Sequence, residues 1–204
     1  KKEIVDQAGV SESVIRDLIK KKCLVPTPFA QELNINLNNT SKVNLNNYQK
    51  KAKNKIIKSI KENIYNCFLI DGVTGSGKTE VYFEAVEESL RDGKQSLILL
   101  PEISLTTDLF KRIEKRFGFK PVMWHSNLSK GKRKEIWQDI FNGKSKLVIG
   151  ARSSLFLPFK NLGLIIVDEE HDITYKQQEG IIYHARDMAI SLGFQEMATV
   201  VLVS

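Results

Sequence analysis

The chain of 204 residues is poor in the residues that build disulfide frameworks and metal sites. It has two cysteines, Cys23 and Cys67, which lie far apart in the sequence, and three histidines. Cys67 begins an apolar run that we interpret as a buried strand, so neither cysteine suggests a metal site or a disulfide framework. This usage is typical of a reducing compartment. The sequence also lacks a signal peptide and any apolar run long enough to span a bilayer, so we expect no membrane partner.

The charge of the chain is unbalanced towards the positive sign. The net charge is +7 and the isoelectric point is near 9.3, which favours a polyanionic partner, although lysine-rich surfaces are often only solvated surfaces. Hydrophobic residues make up 42% of the chain, enough for a real core, and the length allows one domain with a small attachment.

A glycine-rich loop carries the clearest chemical signal. It follows the apolar run Cys67-Phe68-Leu69-Ile70, precedes a helical pattern, and consists of Gly72, Val73, Thr74, Gly75, Ser76, Gly77, Lys78 and Thr79. This is the G-x-x-x-x-G-K-[ST] pattern between a strand and a helix, in which backbone N–H groups surround phosphates. Lys78 can reach the β- and γ-phosphates and the Thr79 hydroxyl can bind Mg²⁺. The alternative is a glycine-rich turn with an exposed lysine.

The region before this loop divides into two parts. Residues 1–28 contain two short helical patterns separated by Gly9, with Ser11 as N-cap of the second and a wing strand at Cys23-Leu24-Val25, which predicts a partial winged-helix element. A helical hairpin that serves only for packing is the alternative. Residues 29–47 are rich in asparagine and are predicted to form an interdomain linker.

From residue 48 the pattern predicts an α/β domain. A lysine-rich helix at 48–64 precedes six strand-like runs at 67–71, 96–100, 121–125, 146–150, 164–168 and 199–203, and helical patterns at 79–91, 105–117 and 130–141 lie between them. Continuous Val/Ile/Leu strands alternating with helices indicate a parallel sheet that is covered on both faces. In such sheets ligands bind beyond the carboxyl ends of the strands, where this sequence carries its polar residues.

An acidic pair follows the most strand-like run of the chain. Asp168 comes directly after Leu164-Ile165-Ile166-Val167 and matches the acid that holds Mg²⁺ beside a phosphate-binding loop. Glu169 is placed to activate the attacking water as general base, although acidic turns after strands are common without any such role. No Asn-Lys-x-Asp motif is present, so ATP is the better nucleotide.

The tetrad Asp168-Glu169-Glu170-His171 resembles the DEEH box of superfamily 2 helicases. Together with the stretches at 72–80, 100–103, 150–156, 161–171 and 175–187, it is similar to the family of replication-restart DNA helicases. The similarity covers roughly residues 45–204. It implies a RecA-like P-loop NTPase lobe, with residues 48–204 as the first motor lobe, and it implies a winged helix before that lobe.

The resemblance also assigns roles to individual positions. Gln49 lies where such helicases read adenine, for which an amide is suited by its paired donor and acceptor; the alternative is an exposed helix residue. Single-stranded DNA contacts are implied for Pro101, Glu102, Arg152 and Ser153, while Arg152 can alternatively be a structural ion-pair residue.

Residues 175–186 resemble the aromatic-rich loop that couples DNA binding to hydrolysis in this family. Tyr175 and Tyr183 are expected to stack on bases, and phosphates are expected to contact Lys176, Gln177, Gln178 and Arg186. The alternative is that the tyrosines pack the lobe. His171 is expected to link the hydrolysis site to this loop, and neither it nor His125 stands at metal-ligand spacing.

Several parts of the family pattern are absent from this sequence. The second motor lobe with its arginine finger, the N-terminal domain that binds DNA 3′ ends and the cysteine-rich zinc module are all missing, so we expect zinc only in an intact, longer protein. Both termini are expected to be cuts through that longer protein. We expect this chain alone to bind nucleotide weakly and not to translocate.

The resemblance implies an ATP- and Mg²⁺-dependent 3′-5′ DNA helicase of replication restart in the bacterial cytoplasm. Its partners would be single-stranded and forked DNA, other primosome proteins and single-strand-binding protein. One alternative is a nucleotide-gated DNA-binding assembly module without unwinding activity. Another is a double-stranded DNA translocase, against which the stretch at 175–180 argues.

Overall fold

A computed structural model describes residues 10–21, 23–24, 43–101 and 107–204. The chain separates into two units, Lys1–Glu32 and Leu33–Ser204. Within the described residues, none of the helices combines the length and the apolar character that crossing a bilayer requires.

The first unit contains helix α1, Glu12–Lys20, and Ser11 is its N-cap as predicted. Cys23 and Leu24 do not form the predicted wing strand. Their backbone N–H groups both donate to the Leu18 carbonyl, at 2.9 and 3.2 Å, which folds the chain back over the end of α1. The preceding helical pattern and Val25 lie outside the described residues, so the winged helix stays a prediction.

The second unit begins, in its described part, with Val43–Asn46, which lead into helix α2, Asn47–Glu62. Leu45 is buried, so this residue of the predicted linker packs against the domain, while its neighbours at 43, 44, 46 and 47 are exposed. Residues 29–42 of that linker lie outside the described residues. A reciprocal pair of hydrogen bonds between Asn46 and Gln49 caps α2, and Asn63 ends it in the left-handed conformation.

The described residues form a parallel sheet of six strands in the order β1-β8-β5-β2-β4-β3. The strands of this sheet are β1 (Cys67–Ile70), β2 (Gln95–Leu99), β3 (Val122–Trp124), β4 (Leu147–Gly150), β5 (Leu162–Val167) and β8 (Thr199–Val203). A short antiparallel pair consists of β6 (Lys176–Gln177) and β7 (Tyr183–His184). The remaining helices are α3 (Lys78–Arg91), α4 (Thr107–Phe117), α5 (Lys130–Phe141) and α6 (Ala185–Gln195), with 3₁₀ helices at Arg152–Phe156 and Ile173–Tyr175.

Both faces of the central strands of the sheet are buried, as the sequence predicted. Helices α2, α3 and α4 pack on one face, where Ile98, Ile166 and Val201 point, and α5 and α6 pack on the other, where Leu97, Ile165 and Val200 point. Successive side chains along each strand therefore point alternately into two hydrophobic cores, one on each face of the sheet.

The prediction that Cys67 begins a buried strand is wrong. Strand β1 lies at the edge of the sheet and pairs only with β8 among the described strands. Cys67 is exposed, and Leu69 on the same face of the strand is 60% exposed. An apolar run identifies a strand, but its place in the sheet depends on pairings that lie far away in sequence.

Helix α6 was not predicted, because the residues it buries are small, while its larger apolar residues Ile190 and Leu192 are only partly buried. Ala185, Ala189 and Gly193, spaced by four, are its buried residues, whereas Met188 and Phe194 are exposed. Gly193 lets α6 approach β8 closely, since a Cβ atom there would lie 2.2 Å from the Val200 Cγ2 atom.

This close approach gives a stability prediction. We expect Gly193→Ala to lower the free energy of unfolding by about 1–2 kcal/mol, because overpacking outweighs the gain in helix propensity. Urea denaturation measures the change. Gly131→Ala in α5 is the matched control, because an added Cβ there meets no atom within 4 Å. It should be neutral or slightly stabilising, and an equal response of the two variants would contradict the packing explanation.

Candidate nucleotide site

The polar residues that the sequence placed after the strands lie at one edge of the sheet. All six strands are parallel, so the loop after β1 and the acids after β5 leave the sheet on the same side. Strand β8 runs between β1 and β5 and joins the two segments: the Gly72 N–H donates to the Ser204 carbonyl at 3.3 Å, and the Glu170 N–H donates to the Val203 carbonyl at 2.8 Å. The geometry therefore brings together the two predicted parts of a nucleotide site.

The glycine-rich loop has the conformation that its glycines permit. Gly75 and Gly77 have φ values of 80° and 83°, in the left-handed region, and Gly77 is the N-cap of α3. The Lys78 ammonium group folds over the loop and donates to the carbonyls of Gly72 and Val73. A phosphate placed in the loop would meet both the N-terminus of α3 and this ammonium group.

Gln49 contacts the glycine-rich loop directly. Its Nε2 donates to the Ser76 carbonyl at 2.8 Å, and its Oε1 accepts from the Asn46 N–H at 2.8 Å. An amide has a second N–H and a second lone pair, so both ends of Gln49 keep one free direction for a further partner. The residue therefore lies at the loop, where the adenine-reading prediction requires it, and it also supports the loop itself.

Asp168 is held on both oxygens of its carboxylate. Oδ1 accepts from the Glu169 N–H at 3.1 Å, and Oδ2 accepts from the Tyr82 hydroxyl at 2.9 Å. Burial raises the pKa of Asp168 above its ordinary value, while the hydrogen bond from Tyr82 acts in the opposite direction. Lys78 is close enough to favour the charged form as well.

Sequence reasoning missed Tyr82. This tyrosine is fully buried, and burial followed by the proximity of Asp168 raises its pKa well above the ordinary value. Thr79, one helical turn earlier on α3, interacts with the same hydroxyl. The three-residue spacing from Thr79 could have indicated a shared helix face, but nothing in the sequence relates Tyr82 to Asp168.

The residues at this point fit a magnesium ion. Asp168 supplies a carboxylate and Thr79 a hydroxyl, both oxygen ligands of the kind Mg²⁺ prefers, and both interact with the single Tyr82 hydroxyl. Mg²⁺ typically takes one or two such protein ligands and completes its shell with water and substrate phosphates. Among the described residues, no group of three His, Cys, Asp or Glu side chains could hold a metal by itself.

Glu169 and His171 lie together at the rim of the site. The Glu169 backbone is left-handed, with φ of 51°, and its carboxylate oxygen Oε2 lies 3.6 Å from His171 Nε2. His171 Nδ1 is 3.0 Å from the Ser204 hydroxyl at the end of β8. His171 thus contacts the predicted general base and Ser204, the residue that follows β8, while its link to the 175–186 loop stays a prediction.

Tyr175 cannot stack on bases as predicted, because it is fully buried. Its hydroxyl donates to the Asp168 carbonyl at 2.6 Å, and the Leu99 carbonyl lies 3.1 Å from the same hydroxyl oxygen. The alternative that this tyrosine packs the lobe is therefore correct. It also ties the 3₁₀ helix Ile173–Tyr175 to the backbone of Asp168.

A groove adjoins the nucleotide site on the same edge of the sheet. It encloses about 660 Å³ and is lined by Leu100, Pro101, Ala151, Arg152 and residues 173–179. Arg152 is one of its lining residues, and its Nη1 donates to the Lys176 carbonyl at 3.0 Å. Lys176 and Gln178 are exposed beside it, whereas Pro101 is buried.

The other predicted DNA-contacting residues lie around this groove with partners of their own. The Ser153 hydroxyl accepts from Trp124 Nε1 at 3.1 Å, and Gln177 donates to the carbonyls of Glu179 and Ile181. Tyr183, half-buried, packs edge-on against Phe156. Glu102 lies outside the described residues.

Arg186 connects the loop to the acidic tetrad. Its Nη1 donates to Glu170 Oε2 at 3.0 Å, and its Nε donates to Asp187 Oδ1 at 3.1 Å. These carboxylates raise the pKa of Arg186, with the bond to Glu170 as the largest cause. Glu170, which the sequence left without a role, is thus the partner that holds this arginine.

Comparison with known proteins identifies the family. Residues 46–204 match the DEAD/DEAH box helicase family. The chain belongs to this family. Membership implies use of ATP and Mg²⁺ by the domain. The resemblance to replication-restart helicases is confirmed by curated relatives that are replication restart proteins PriA.

The PriA protein of Rickettsia felis is 57% identical over 67% of this chain and 21% of the relative. The PriA protein of Bacillus subtilis is 37% identical over 99% of this chain and 26% of the relative. The chain therefore spans about a fifth to a quarter of the length of these relatives.

Solved structures show the same fold. A structure of RecG bound to a three-way DNA junction matches 95% of this chain and 23% of its own chain, with a TM-score of 0.55 and 21% identity. The helicase MrfA matches 96% of this chain and 29% of its own, with a TM-score of 0.55 and 19% identity. The RecA-like lobe predicted from the sequence is therefore confirmed.

The buried hydroxyl of Tyr175 gives a prediction at this site. We expect Tyr175→Phe to lower the free energy of unfolding by about 1–2 kcal/mol, because the Asp168 carbonyl loses its buried donor. Urea denaturation measures the loss. Tyr183→Phe, which removes a hydroxyl from a half-buried ring, should change it by less than about 0.5 kcal/mol. Similar losses in both variants would show that the hydrogen bond from Tyr175 to the Asp168 carbonyl contributes nothing to the free energy of unfolding.

Proposed function

We propose that this chain is the first motor lobe of a longer ATP-dependent DNA helicase that acts in replication restart. The observation that supports this most is the direct connection between the nucleotide site and the groove. Asp168 at the nucleotide site accepts a hydrogen bond from Tyr175, which belongs to the segment that lines the groove.

At the nucleotide site, the loop N–H groups and the N-terminus of α3 bind the triphosphate, and Lys78 exchanges its loop carbonyls for phosphate oxygens. Thr79 and Asp168 hold Mg²⁺. When bound, this ion neutralises charge that develops on the phosphates. Glu169, exposed at the rim, accepts a proton from the attacking water. Gln49 uses its free N–H and lone pair to bind adenine.

In the groove, the DNA backbone contacts Arg152, Ser153, Lys176 and Gln178, while Gln177 supports the loop through its own carbonyl contacts. Of the two tyrosines, only Tyr183 is accessible for stacking, since Tyr175 is buried. If bound DNA shifts residues 173–186, the hydrogen bond from Tyr175 would displace Asp168. The ion pair with Arg186 would displace Glu170 in the same way. This is a physical route by which DNA can stimulate hydrolysis.

The relatives are named replication restart proteins, which supports a role in replication restart. Action at stalled or repaired forks, 3′-5′ polarity, primosome and single-strand-binding partners and a place in the bacterial cytoplasm are proposed from the family resemblance alone. The chain covers about a fifth to a quarter of these relatives, which leaves room in a longer protein for the second lobe, zinc module and further DNA-binding domains that the family resemblance implies. Such a lobe alone would bind nucleotide weakly and would not translocate.

Hydrolysis by the full-length protein tests the nucleotide part of the proposal. Lys78→Ala and Glu169→Gln should each lower DNA-stimulated ATP hydrolysis by at least about 100-fold. Lys78→Ala removes the positive charge that faces the phosphates, and Glu169→Gln removes the general base. Only Glu169→Gln should keep wild-type affinity for ATP. Lys120→Ala, at an 82% exposed lysine before β3, is the control and should be fully active. Hydrolysis without strand separation on forked DNA would instead favour the assembly module.

The groove gives a separate prediction for DNA binding. Lys176→Ala should weaken single-stranded DNA binding by the full-length protein and reduce the slope of log affinity against log salt by about 0.7, the value for one phosphate contact. Fluorescence anisotropy at several salt concentrations measures both quantities. Lys120→Ala should leave the slope unchanged, and an unchanged slope for Lys176→Ala as well would place the DNA elsewhere.

A further inference from the structure

Tyr82 points a buried polar group at the nucleotide site. It lies on α3, four residues after Lys78, and its side chain is fully buried in the core between α3 and the sheet. Its ring packs edge-on against Phe83 with 5.1 Å between the ring centroids. Its hydroxyl donates to Asp168 Oδ2 at 2.9 Å, across a sequence separation of 86 residues.

This hydrogen bond restricts how Asp168 can present its carboxylate. With the Glu169 N–H on Oδ1 at 3.1 Å and the Tyr82 hydroxyl on Oδ2 at 2.9 Å, two donors hold the carboxylate from two directions. Each oxygen keeps a further lone pair for another partner. Thr79, the other side chain that fits Mg²⁺, also interacts with the Tyr82 hydroxyl.

The core alone does not explain a tyrosine at this position. Phe83, the next residue, is also fully buried in the same core cluster, so this region accommodates a phenyl ring without a hydroxyl. A hydroxyl costs free energy to bury unless it is hydrogen-bonded, and this one has an acidic partner. The feature that distinguishes Tyr82 is therefore its contact with Asp168 and Thr79.

We propose that Tyr82 is a positioning residue for magnesium. It orients Asp168 and Thr79 before Mg·ATP arrives, so that the ion meets ligands already in place. It contacts neither substrate nor ion itself. This inference rests on the proposed function, because it requires that the site uses ATP with Mg²⁺.

The test compares nucleotide binding with and without the ion in the full-length protein. In Tyr82→Phe, the midpoint of a Mg²⁺ titration, followed with a fluorescent ATP analogue, should rise about tenfold, the lower end of the range for residues that orient metal ligands. Affinity for the analogue in EDTA should stay within about twofold of wild type, because the phosphate-binding loop is untouched. Tyr65→Phe, at a tyrosine that precedes β1 and packs on Phe194, is the control and should change neither quantity.

Three results would overturn the inference or what it rests on. An unchanged Mg²⁺ midpoint, with wild type binding Mg·ATP normally, rejects the positioning role alone. Equal losses in Mg²⁺ and in EDTA show a merely structural role, which also rejects it. A wild-type protein whose ATP affinity does not respond to Mg²⁺ rejects the proposed function itself.

If Tyr82→Phe lowers the stability of the protein, a double-mutant cycle still shows whether Tyr82 acts through Asp168. In an Asp168→Asn background the carboxylate that Tyr82 orients is gone, so adding Tyr82→Phe should shift the Mg²⁺ midpoint by less than about twofold. The same tenfold shift in both backgrounds would show that Tyr82 does not act through Asp168.

Discussion

The position of Asp168 is the constraint on which the rest of the site depends. Its N–H donates to the Leu99 carbonyl at 3.0 Å, its carbonyl accepts from Tyr175, and its two carboxylate oxygens accept from Glu169 and Tyr82. One residue at the end of β5 is thereby bonded to β2, to α3 and to the 3₁₀ helix that begins the groove segment. Because the hydrogen bonds from Tyr175 and Tyr82 are partly buried, each of these two would be costly to break without a replacement.

The helix that carries Lys78 and Thr79 is held just as firmly from its other side. Arg116 of α4 is only 4% exposed and reaches Glu84 and Glu87 of α3, with 3.0 Å to Glu87 Oε2. Nearer the nucleotide site, Arg112 of α4 pairs with Glu80 of α3. Buried charges are expensive to separate, so α3 and α4 are expected to respond to a ligand as one body. A displacement of α4 would therefore reach the phosphate-binding loop.

The sequence predicted correctly the features that are encoded by neighbouring residues and missed those that depend on contacts between distant segments. The phosphate-binding loop and the strand after which Asp168 stands are contiguous patterns, and they were predicted correctly to within a residue or two. The exposure of Cys67, the burial of Tyr175 and the contact of Tyr82 with Asp168 depend on which strands and helices become neighbours. Helix α6 was missed for a related reason, since Ala185, Ala189 and Gly193 pack by being small and leave no apolar period to detect.

The turn at Glu169 explains how one short segment can serve both the nucleotide and the groove. A left-handed conformation at a residue other than glycine costs of the order of 1 kcal/mol and persists only where its surroundings require it. Here the Glu169 N–H binds the Asp168 carboxylate, and its carbonyl accepts from the Asp172 N–H at 2.8 Å.

The reversal at Glu169 keeps its own carboxylate exposed beside the nucleotide site and turns Glu170 towards Arg186. An extended residue at position 169 would carry the chain away from the edge of the sheet and separate these two contacts. The strained backbone is thus what places a candidate base and a candidate DNA-responsive ion pair on consecutive residues.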